Sequence, residues 1–136
     1  MKLSTHIKPK TNIWKIFPKI ISSKTAQCIY PFIFLPENVY NDLKSSNPNP
    51  ESFALLLHEQ THLERQKKYG ILWFIKYLFS AKYRFNEELL AFKKQVSHLK
   101  KYNLNLDLET RAKRLSSWLY LWCITYKKAL EELEKL

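Results

Sequence analysis

The chain contains a single glycine, Gly70, and it ends a stretch that opens with strong helix-start chemistry at Asn49-Pro50-Glu51. Asn49 suits an N-cap, proline is tolerated at the first helical position, and Glu51 complements the positive end of the helix dipole. Glycine is the residue that closes a helix in a left-handed cap at no steric cost. These signals predict one helix from about Pro50 to Tyr69, with Leu55, Leu56 and Leu57 apolar on three sides, as in a helix buried in a core. Inside it lies His58-Glu59-Gln60-Thr61-His62. One helical turn separates the two histidines, so both imidazoles leave the same face and can grip one Zn²⁺, with Glu59 beside it as a base for a bound water.

With one glycine and few β-branched residues beyond the first third, the rest is expected to be mainly α within an α+β class. A helical domain results, with one edge strand or a small sheet before the histidine helix. Residues 27–35 are β-rich and apolar, and Pro31 within them places that strand at an edge. Further helices are expected over 71–82, from Asn86 as N-cap to about 101, over 108–123 behind Asp107, and after Thr125. Leu108, Ala112, Leu115, Leu119 and Trp122 form the inward stripe of the 108–123 helix, with Trp118 and Trp122 in the core; Ala129, Leu130 and Leu133 face inward in the last helix. The apolar run Ile71–Phe79 is too short to span a bilayer and reads as a core helix more readily than as a membrane-surface one. At 136 residues and 46% apolar, the chain makes one globular domain, 26–136, preceded by a basic arm or irregular packing segment, 1–25.

Net charge is +11, and no acidic residue precedes Glu37. Such a field attracts nucleic acid, anionic lipid or an acidic protein, yet no nucleic-acid recognition motif accompanies it. The first eight residues lack the apolar core of a signal peptide. Cys28 and Cys123 follow no metal spacing and read as free thiols of a reducing compartment, so a cytoplasmic protein is expected.

Two histidines and a water leave tetrahedral zinc one protein ligand short. The metzincin extension needs Gly and His where Arg65 and Lys68 stand. Glu87 and Glu88 are the carboxylates within reach on a later helix. There Phe85, Leu89, Phe92, Val96 and Leu99 make an apolar stripe; Glu88 falls roughly 60° from its centre, whereas Glu87 points nearly opposite and reads as solvated. Glu88 is therefore the expected third ligand over Glu87. His98, opposite the stripe, is expected to be solvated, and His6 has no partner spacing. Gln66 and Asn86 are candidates to orient a ligand or cap a helix.

HExxH followed by Glu88-Leu89-Leu90-Ala91 on a separate helix resembles the zincin metallopeptidases whose third ligand is glutamate. Over residues 52–92 the chain is similar to small zinc peptidases of bacteriophage and bacterial genomes, with a weaker echo at 114–120. Leu90 departs from the Glu-x-Glu-Ala pattern without touching a ligand. The resemblance implies Zn²⁺ on His58, His62 and Glu88, Glu59 as general base, and hydrolysis of a peptide or protein substrate, with Tyr120 and Tyr83 as candidates to hold the oxyanion. The edge strand would bind substrate backbone by β-augmentation. The competing readings are a catalytically silent, zinc-stabilised module that docks an anionic partner, and a nucleic-acid-associated factor using the basic arm.

Overall fold

The computed structural model of the chain describes residues 4–10 and 25–136. Its architecture is mainly helical with a small mixed sheet, an α+β arrangement. Among the described residues three strands, β1 (Ile7–Pro9), β2 (Gln27–Ile29) and β3 (Phe32–Leu35), lie in the order β1-β3-β2. β1 runs parallel to β3, pairing Ile7 with Ile33, and β2 runs antiparallel, pairing Cys28 with Ile33. The expected single strand over 27–35 is thus a hairpin. Pro31, which has no N–H to give a ladder, follows a cis peptide in the turn and lies outside both strands. Only β2 lies at the edge on this side; β3 is central. Ile7–Pro9, counted from sequence in the basic arm, is a sheet strand, while most of that arm, 11–24, lies outside the described residues.

Among the described residues six α-helices follow: α1 (Glu37–Lys44), α2 (Pro50–Tyr69), α3 (Ile71–Phe79), α4 (Ala81–Lys100), α5 (Leu108–Leu115) and α6 (Tyr126–Leu133). α2 has its expected ends. The Asn49 side chain accepts from the Glu51 amide at 2.8 Å, and Gly70 turns the chain at φ +55°. α4 begins five residues before Asn86, because Ser80 supplies the cap by accepting from the Tyr83 amide; Asn86 is an exposed mid-helix residue. α5 stops at Leu115 and does not continue to 123. The hydroxyls of Ser116 and Ser117 donate back to the carbonyls of Lys113 and Arg114, and Leu121 and Trp122 take left-handed backbone angles. Trp118 and Trp122, expected in the core, are exposed as a result.

Two apolar clusters form among the described residues. One joins the sheet to α1 and α2 through Ile7, Ile33, Leu35, Leu43 and Leu56; the other joins α4 to α5 and α6 through Phe85, Phe92, Ala112, Leu115, Ala129 and Leu133. The seam between them is where α2 packs along α4, and it is lined with buried polar side chains. α3 departs from its expected place, since only Trp73 of its nine residues is buried. No helix of the described residues is long and apolar enough to cross a membrane.

Candidate metal centre

α2 carries His58, Glu59 and His62 into the seam, all three buried, and α4 brings Glu88 against them, 2% exposed. The two Nε2 atoms lie 3.3 Å apart. Glu88 Oε2 is 3.5 Å from His58 Nε2, and Glu88 Oε1 is 3.4 Å from His62 Nε2. Tetrahedral zinc with bonds of about 2.0–2.1 Å separates its ligand atoms by about 3.3–3.4 Å, close to the spacing of the two imidazole nitrogens and of each from one of the Glu88 oxygens. Glu88 Oε2 has no hydrogen-bond donor, an orphaned acceptor that a cation satisfies. The donor set fits a zinc ion.

The histidines lack the usual support at their other nitrogen, because both Nδ1 atoms are buried without an acceptor. Ring packing holds them instead, His58 edge-on to Phe92 at 4.7 Å and His62 to Trp73 at 6.1 Å. Glu88 is oriented by Tyr77 of α3, whose hydroxyl donates to Oε1 at 2.6 Å. Tyr77 in turn stacks on Trp73 at 4.5 Å. Burial would raise the Glu88 carboxyl, but His62 and His58 hold it far below the usual range. Burial would likewise lower the His62 pKa, and Glu88 more than reverses this, taking it to about 9.

Comparison of the chain with family models, curated proteins and solved structures found no match.

Glu59 sits on the same turn as the two histidines. Burial pushes its carboxyl up and Glu88 adds to that, against His58, His62 and Lys10. Lys10 itself is buried just beyond β1, which lowers it to about 8, while Glu59 pulls it upward. A cleft of about 390 Å³ opens beside these groups, walled by β2, by Phe74 and Leu78 of α3, and by Trp118 and Tyr120. Of the two tyrosines suggested by resemblance, Tyr120 lines this cleft; burial, Glu88 and Glu59 raise its pKa well above the ordinary value, so it remains a donor. Tyr83 does not line it and sits beside Glu87 and Arg65.

Glu87 corrects the sequence expectation. It is as buried as Glu88, not solvated. Arg65 of α2 grips it with a 2.6 Å contact from Nη2 and a 3.0 Å one from Nε, and the Trp73 indole donates to it at 2.9 Å. A helical wheel of α4 sees only its own axis; the cover on this face comes from α2 and α3. Gln66 is also placed by a pair of bonds: it accepts from the Tyr30 amide and donates to the Cys28 carbonyl, pinning the hairpin to the histidine helix. Those two backbone groups are therefore unavailable to a substrate strand. His98 is half-buried between Phe53 and Tyr102, not solvated, with Nε2 buried and without a partner. Arg65, Trp73 and Tyr77 were missed as supports of the site, although the i, i+4 spacing of Trp73 and Tyr77 on an apolar helix beside the motif is a readable signal.

Proposed function

We propose that the chain is a zinc metallopeptidase of the glutamate-ligand zincin type, with Zn²⁺ on His58, His62 and Glu88 and Glu59 as general base. The observation that carries this reading is that His58 and His62, on the helix that also bears Glu59, meet Glu88 of α4, with the two Nε2 atoms 3.3 Å apart and each 3.4–3.5 Å from one of the two Glu88 oxygens. Zinc bound there supplies a Lewis acid for the scissile carbonyl and a water acidified toward neutrality. Glu59 receives the proton of the attacking water and passes it to the leaving amine. Tyr120, protonated at the cleft wall, is the hydroxyl donor we assign to the developing oxyanion. Phe74, Leu78 and Trp118 give the substrate side chains an apolar wall. We place this activity in the cytoplasm, on the free thiols of Cys28 and Cys123.

Metal analysis of the purified protein and its Glu88→Ala and Glu59→Gln variants, with cleavage of an unfolded protein substrate, tests the proposal. One zinc per chain is expected in the wild type, weak retention in Glu88→Ala, and full zinc with cleavage lowered by at least about a hundredfold in Glu59→Gln. No zinc in the wild type would sink the metal site. Zinc without cleavage in any form would make it the support of a binding module.

A further inference from the structure

α3 presents apolar side chains to solvent as well as to the protein. Trp73, Phe74 and Tyr77 face the site, whereas Ile71, Leu72, Leu78 and Phe79 are 70%, 59%, 57% and 85% exposed, and Ile75 is exposed beside them. At about 100° per residue these five occupy one continuous arc of about 120°. The exposed Trp118, Leu121 and Trp122 extend the patch across the cleft mouth, because Leu78 and Trp118 line the same cleft. Apolar patches of this kind on a folded surface mark an interaction site.

The charge around the patch selects its occupant. Between Glu64 and Glu87 the chain has no acidic residue. Lys67, Lys68, Lys76 and Lys82 are all exposed there, and Lys76 falls at the border of the apolar arc, about 40° beyond Leu72. A second copy of the chain would bring the same lysines against these ones under a net charge of +11 each, so the face is a poor self-interface. A lipid surface with anionic headgroups satisfies both features at once. Nine residues cannot span a bilayer, but a helix with one face in the acyl boundary, lysines among headgroups and tryptophans alongside suits the interface. We infer that α3, with Trp118 and Trp122, docks the protein on an anionic bilayer surface. Docking sets the cleft mouth at headgroup level. The inference uses surface residues alone and stands whether or not the centre hydrolyses peptides.

Sedimentation of the full chain with vesicles tests it, using phosphatidylcholine alone or with roughly one lipid in three as phosphatidylglycerol. Binding to the anionic vesicles and not to the neutral ones is expected, with loss at high salt. Ile71→Gln combined with Phe79→Gln is expected to weaken it at least about tenfold. Replacing Lys67, Lys68 and Lys82 by Gln is expected to cost about fivefold each. Circular dichroism of both variants should match the wild type, because every changed side chain is exposed. Absent binding, equal binding to neutral vesicles, or anionic binding that the Ile71/Phe79 pair leaves unchanged would overturn the inference. A wild-type dimer that this pair abolishes, without vesicle binding, would also overturn it and assign the face to a second copy.

Discussion

His62 and Glu88 form a proton-holding pair whose proton the proposed metal would displace. The His62 pKa is raised to about 9, so below that pH the metal-free protein carries a proton on the ring that zinc has to expel. Apparent zinc affinity is therefore expected to rise about tenfold per pH unit from neutrality up to about 9, then to level off. Competition with a chelator at stepped pH reads this directly, and a flat profile would contradict the pairing. The same pair has a defined sign in stability. Because the folded pKa is raised, its contribution to the metal-free protein is full below 6.5 and disappears as pH climbs through 9. Tyr77 acts on the neighbouring carboxylate. Tyr77→Phe removes one donor to Glu88 and leaves the ring stacked on Trp73, so zinc affinity should fall by roughly 10–100-fold with the helical content unchanged.

At the level of elements, the helix ends differ in how clearly their residues announce them. α2 is bracketed by Asn49 and Gly70, whose chemistry is local, and both ends were legible. Gly70→Ala isolates the backbone contribution. An added Cβ would meet nothing within 4 Å, so the change should cost about 1–2 kcal/mol through the positive φ alone. Chemical denaturation measures it, and a neutral result would mean that the cap relaxes. α1 went unseen because Pro36 precedes it without a side-chain cap. Ser80 and Asn86 are both competent caps, and only the tertiary placement of the α3–α4 corner selects the first. The apolar run of α3 and the two tryptophans read as core because composition records hydrophobicity without saying what covers it. Glu88 could be found from its place beside the α4 stripe, yet the fate of Glu87 depended on Arg65 and Trp73, which no single-helix pattern contains.

At the scale of the whole molecule, the described residues form two apolar clusters whose shared boundary is polar. The three buried side chains proposed as ligands come from both sides of that boundary, so an ion bound there would cross-link α2 to α4. Chelation should accordingly lower global stability: free zinc at about a hundred times its dissociation constant adds about 2.7 kcal/mol, on the order of 10 °C in Tm for a chain of this size. Thermal unfolding with and without chelator reads it, and an unchanged Tm would mean that the ion leaves the fold indifferent.

One buried side chain gives the cleft its width. Arg84 donates to the carbonyls of Tyr77 and Leu78 at the end of α3 and, at 2.8 Å, to the carbonyl of Tyr120 on the opposite wall. A planar guanidinium has a fixed span, so it acts as a gauge block between the two walls. The upper size of any group that enters the cleft is then a property of one rigid fork, and a shorter or monodentate cation at 84 would let that ceiling drift.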